Sequence, residues 1–141
     1  MKNQEEWDQW FVSYKEWILH YAVLAEEYVN GVVGFFFIPA YYLYRSLAQL
    51  ACYSEAEVLE KKQILEEVTV NQEKMKFWAE HAPTNNSHKY YLITAEKHRI
   101  LGEKLEAIET YEQAIILATE NKYIQEAALA NELCAKFYLE W

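Results

Sequence analysis

Three glycines and two prolines in 141 residues constrain this chain more than any motif does. A β protein needs a tight turn every few residues and draws on Gly, Pro, Asn and Asp to make them. Gly31, Gly34, Gly102, Pro39 and Pro83 are all the glycine and proline it has, and Asp8 is the sole aspartate. With 52% hydrophobic and 16% aromatic residues the chain is far from a disordered composition. The expectation is an all-α fold: one domain, residues 1–141, of antiparallel helix hairpins stacked from about six helices.

Apolar residues recur at helical spacing along nearly the whole length. Residues 4–29 place Trp7, Trp10, Phe11, Tyr14, Trp17, Ile18, Tyr21, Leu24, Ala25 and Tyr28 on one face, predicting a long amphipathic helix that closes near Asn30–Gly31. The uncharged run from Tyr28 to Tyr44 is only 17 residues and contains Pro39, so it reads as a helix junction rather than a membrane span. Phe35, Phe36, Phe37 and Tyr41 are expected against the aromatic helix, with Pro39 in the first turn of the next. That second helix runs to about Tyr53, with Tyr44, Leu47, Ala48 and Ala51 on one stripe. Ser54 is the expected N-cap of a third helix reaching His81, with Glu57 completing a capping box and Leu65, Val68, Met75, Trp78 and Ala79 inward. "HAPTNNS" predicts a loop, followed by helices over about 88–101, 104–119 and 123–140. An aromatic-rich part, residues 1–53, thus precedes a helical array, residues 54–141.

From His88 to Asn121 the chain spans 34 residues, the period of a tetratricopeptide repeat. Gly102 falls at the turn between the paired helices, Ala107 and Ala114 at small contact positions, and Tyr111 at the large one between them. In the first helix Tyr91 stands where Trp is usual and Ala95 at the first small position, while Thr94 and His98 replace the usual Leu and Tyr. Small residues let two helices approach closely, and stacked pairs form surfaces that bind proteins. "YIQEAALANELCAKFYLEW" supplies the first helix of a further repeat, leaving Leu129, Leu133, Phe137 and Trp141 as candidate interface residues with one flank unstacked. An uncapped apolar end predicts a fragment of a longer array, self-association, or docking on a protein partner.

The segments "NQEKMKFWAEHAPTNNSHKYYLITAEKHRILGEKLEAIETYEQAI" and "ATENKYIQEAALANELCAKFYLEW" resemble the tetratricopeptide-like helical region of large bacterial multi-domain signalling kinases. In those proteins serine/threonine kinase-like and P-loop ATPase domains precede this region, and GAF and histidine kinase domains follow it. The resemblance implies a connector or scaffold in signal transduction and carries over no catalytic residue.

The chemistry of the chain agrees with a non-enzymatic role. Kinase sites need several fixed aspartates and a P-loop needs a Gly-rich run ending in Lys and Ser or Thr, neither of which is available. His20, His81, His88 and His98 lack metal-ligand spacing, so no metal and no cofactor is expected; His98 is the one considered for phosphotransfer, and its repeat position favours a structural role facing the paired helix. Thirteen Lys and Arg against 22 Asp and Glu give a net charge of −9, which disfavours nucleic acid and anionic lipid. Cys52 and Cys134 show no paired spacing and read as buried free thiols, and with no secretory h-region in "MKNQEEWDQW" a cytoplasmic location is expected. Partner contacts are expected in the groove between the fourth and sixth helices, around Tyr91, Glu109 and Leu133. The competing reading is a small ligand or cofactor sensor built on the aromatic N-terminal half.

Overall fold

A computed structural model describes His20 and residues 37–141. Among the described residues there are five helices and no strand: α1 (Ile38–Cys52), α2 (Val58–His81), α3 (Pro83–Leu101), α4 (Lys104–Glu120) and α5 (Ile124–Glu140). The helix expected over residues 4–29 lies outside the described residues apart from His20, which is helical and exposed. Phe35 and Phe36, expected to pack against it, also lie outside the described residues, while Phe37 is 44% exposed and Tyr41 half-buried.

Consecutive helices run antiparallel, and side-chain bonds record the register. Asn71 Nδ2 on α2 donates to Ser46 Oγ on α1 at 3.2 Å, and Gln49 Nε2 donates to Glu67 Oε2 at 2.5 Å. Gln72 Nε2 on α2 donates to Thr94 Oγ1 on α3 at 2.7 Å, and Lys97 Nζ donates to Thr69 Oγ1 at 3.1 Å. Thr94, in place of the repeat's usual leucine, is therefore a bond between neighbouring hairpins. α3 meets all four other helices, while α2 and α4 make no close approach to each other. The odd-numbered helices thus form one layer, parallel to one another, and α2 and α4 form the second. From Asn86 to Ile100 no residue of α3 is exposed.

The core follows from this central position. Leu43 and Leu50 of α1, Val68 and Met75 of α2, Leu92, Ile93 and Ala95 of α3, and Ala107, Tyr111 and Ala114 of α4 are all at most 1% exposed. Alanine at 95, 107 and 114 removes side-chain bulk where α3 and α4 meet, while Tyr111 fills the space between the small positions. Gly102 turns the chain between them at φ 77°; its N–H donates to the Arg99 carbonyl at 3.1 Å and the Glu103 N–H to the His98 carbonyl at 3.0 Å. A Cβ at Gly102 would meet no atom within 4 Å, so the backbone angle alone selects glycine there.

Three local expectations are corrected. Glu57, not Ser54, is the N-cap of α2: it forms the capping box with Glu60, whose carboxylate accepts from the Glu57 N–H at 3.4 Å, while residues 53–57 make the turn. "HAPTNNS" is not a loop, because α3 begins at Pro83 directly after Ala82. Proline costs nothing at the first helical position, and Asn86 Nδ2 reaches back to the Trp78 and Ala82 carbonyls, each at 3.3 Å. On α1 the buried stripe is Tyr42, Leu43, Ser46, Gln49 and Leu50, and Tyr44 is 45% exposed. Ser46 and Gln49 are admitted because Asn71 and Glu67 of α2 bond to them, Gln49 through Nε2 while its Oε1 is buried without a hydrogen-bond partner among the described residues, and the helix is rotated away from its most apolar stripe.

Overfilling the α3–α4 contact should cost more than straining the turn. Ala107→Leu is expected to lose about 1–3 kcal/mol by overpacking, and Gly102→Ala about 1–2 kcal/mol from its left-handed backbone. Urea unfolding of both variants tests this; full stability of Ala107→Leu would exclude a close helix contact at that residue.

Candidate protein-interaction surface

The odd-numbered layer carries a polar row across α3 and α5. Lys89 of α3 is 5% exposed; its ammonium donates to the Asn85 carbonyl at 2.5 Å, lies 4.3 Å from the Tyr123 ring centre and sits 4.0 Å from Glu126 of α5. Burial lowers its pKa, and Glu126 opposes that shift. Tyr123 donates its hydroxyl to Asn85 Oδ1 at 2.9 Å and stacks on His88 with ring centres 4.4 Å apart. On α1, burial and then the Glu126 carboxylate raise the phenol pKa of Tyr44.

His88 is 2% exposed and 3.2 Å from the Lys89 ammonium through Nε2. An ammonium only donates, so Nε2 accepts and the neutral ring carries its proton on Nδ1, which is buried without a hydrogen-bond partner among the described residues. Burial, followed by repulsion from Lys89, lowers the His88 pKa to about 4.

A second network joins α3, α4 and α5. Glu96, 3% exposed, accepts a short hydrogen bond from the Tyr111 hydroxyl on one oxygen. Its other oxygen accepts from Arg99 Nε at 3.0 Å and Nη2 at 2.8 Å. Arg99 Nη1 continues to Glu140 of α5 at 3.5 Å. Burial works against the Arg99 charge, but hydrogen bonding and attraction to Glu96 outweigh it and raise the guanidinium pKa. Burial, then the Glu96 carboxylate, raises the Tyr111 phenol strongly. This network is a brace between three helices.

The open surface lies at the far end of the stack, on α4 and α5. Tyr111 and Phe137 rings are 5.7 Å apart, and Lys104 Nζ lies 4.9 Å from the Trp141 ring centre. Phe137 is 5% exposed and so is part of the core, while Leu129 and Leu133 are half-buried against it. Trp141 is 57% exposed. The residues that leave this end apolar and open are Leu105, Ile116, Ile124, Tyr138, Leu139 and Trp141, of which Leu139 is 88% exposed. Tyr91 of α3 is half-buried beside Tyr90, and Glu109 is exposed on α4.

His98 is half-buried at the α3–α4 turn, with Nδ1 2.6 Å from Glu103 Oε2. Cys52 is half-buried and Cys134 buried, neither in a disulfide. Among the described residues no group of His, Cys, Asp and Glu is placed to hold a metal, and no helix is long and apolar enough to cross a membrane. The buried His88, Lys89 and Glu96, with the half-buried Arg99, are not legible as a group in the sequence. Their periodicity places them on the central helix, but their partners lie on other helices.

A family model described as CHK1-like, TPR repeats matches residues 24–140. No curated protein and no solved structure matches the chain. The match spans all five helices, and an all-α stack of tetratricopeptide-like hairpins is the architecture it carries.

Acid should expose the His88 environment. The folded chain holds this imidazole neutral to about pH 4 while the unfolded chain protonates near 6.5, so its contribution is complete above pH 6.5 and is lost as the pH falls toward 4. Thermal midpoints are expected to fall between pH 7 and 5, with a shallower fall in His88→Gln; equal slopes would show that His88 does not carry the effect.

Proposed function

The chain belongs to the family of CHK1-like TPR repeats, a tetratricopeptide-like helical region of kinase-related proteins, and on that footing we propose that it is a non-catalytic scaffold module that binds protein. Its place is that of the helical connector in signal-transduction kinases, and its contacts are made at the α4–α5 end. The observation that carries this reading is the exposure of Leu105, Tyr138, Leu139 and Trp141 on adjacent helices, beside a Phe137 that is already buried. Repeat arrays bury such faces under the next helix or under a partner. Support also comes from the polar groups in the interior, which are engaged in bracing helices rather than converging on an opening.

Size-exclusion chromatography with light scattering tests the proposal, comparing the chain with a version extended by one designed helix after Trp141. Association of the original chain, or its capture of an added helical segment, with loss of either in the extended version, is expected. A monomer that binds no helix in either form would refute an interface at this end.

A further inference from the structure

We propose that the α4–α5 end accepts a cationic amphipathic helix from a protein partner. The inference rests on reading that end as an interface and adds the chemistry of what occupies it.

On α4, Leu105, Glu109, Glu112 and Ile116 follow one another at helical spacing and are all exposed. This stripe borders the side of α4 that meets α5, where the Tyr111 and Phe137 rings are 5.7 Å apart and Lys104 Nζ lies 4.9 Å from the Trp141 ring centre. On α5, Asn131, Ala135 and Tyr138 form the matching exposed stripe. The two antiparallel helices therefore present adjoining exposed stripes, with Leu105, Tyr138 and Trp141 at one end and Ile116 at the other.

Charge selects the occupant. Glu103 is bonded to His98, Glu126 lies beside Lys89, Glu140 beside Arg99, and Glu132 pairs with Lys136 at 2.6 Å. Glu106, Glu109, Glu112 and Glu120 have no ion-pair partner among the described residues. Lys104, the one cation of α4, lies over Trp141, and Lys122 stands in the turn beyond the helix. A surface on which exposed apolar residues alternate with unpaired carboxylates is complementary to a helix with an apolar seam flanked by Lys or Arg. A second copy of the chain is disfavoured, because two such faces would set glutamates against glutamates within a chain of net charge −9.

Fluorescence anisotropy with a labelled Leu/Lys helical peptide about five turns long, and with a Leu/Glu counterpart, tests the inference on the full chain. The Leu/Lys peptide is expected to bind and the Leu/Glu peptide not. Glu109→Lys with Glu112→Lys should weaken binding about tenfold or more, and Leu139→Asp should also weaken it. Reversing two exposed glutamates on α2, Glu73→Lys with Glu80→Lys, should leave affinity within about twofold. Circular dichroism checks that each variant is folded. Equal weakening by the α2 pair would overturn the inference in favour of diffuse attraction to an acidic protein. Equal binding of both peptides, lost in Leu139→Asp, would overturn the charge selection while leaving the interface standing. If neither peptide binds and Leu139→Asp breaks a dimer seen by light scattering, the occupant is a second copy and the inference fails. If neither binds and the chain is monomeric, the interface reading fails with it.

Discussion

The close contact between α3 and α4 is the constraint on which the other contacts depend. Ala95, Ala107 and Ala114 are buried where the two helices meet, and a larger side chain at any of them would separate the backbones. Close approach lets Tyr111 reach Glu96 and lets Gly102 close the hairpin in one left-handed residue. It also makes α3 the shared member of two hairpins, so α1, α2 and α5 are positioned by what α3 presents to them. A helix packed by four neighbours needs partners for the polar groups it buries, and of these His88 Nδ1 alone has no hydrogen bond among the described residues. Lys89, His88 and Glu96 are accordingly held by residues of α3 itself and of α4 and α5.

Polar pairs settle the register that apolar contacts leave loose. Ser46 with Asn71, Gln49 with Glu67, and Gln72 with Thr94 each join neighbouring helices. Sliding one helix by a turn would keep most of the buried apolar area and strand these groups without partners, which costs about 1–3 kcal/mol per group. Glu96 raises the cost further, because losing Arg99 would leave a carboxylate buried without its cation. The stack is thus defined by area for its existence and by hydrogen bonds for its alignment.

Interior and surface charge are handled differently, and that difference bears on recognition. Inside, each charged group has a close partner. On α4 the glutamates of the exposed face are left to solvent beside apolar residues. The lack of pairing costs little in water, and it leaves the α4–α5 end with both an apolar seam and a sign of charge. Conversely, a partner that covers it must supply counter-charge, or those carboxylates would lose solvation without compensation.

The sequence by itself determined the helical class, the turn at Gly102 and the spans of α4 and α5, because scarce helix breakers and apolar periodicity act within a few residues of one another. It was also enough to place Ala107 and Ala114 at small positions of a repeat. Only the tertiary structure decided which face of α1 turns inward, since Ser46 and Gln49 are buried through partners on α2 that no local pattern announces. The same holds for Phe137, whose burial comes from Tyr111 on the preceding helix, and for Lys89, whose position depends on Tyr123 and Glu126 of α5. The start of α3 at Pro83 was decided by Asn86 closing back on α2, where composition alone favours a loop. Periodicity reports what a helix buries on average; which polar residue it can afford to bury depends on a neighbour that becomes adjacent only when the chain has folded.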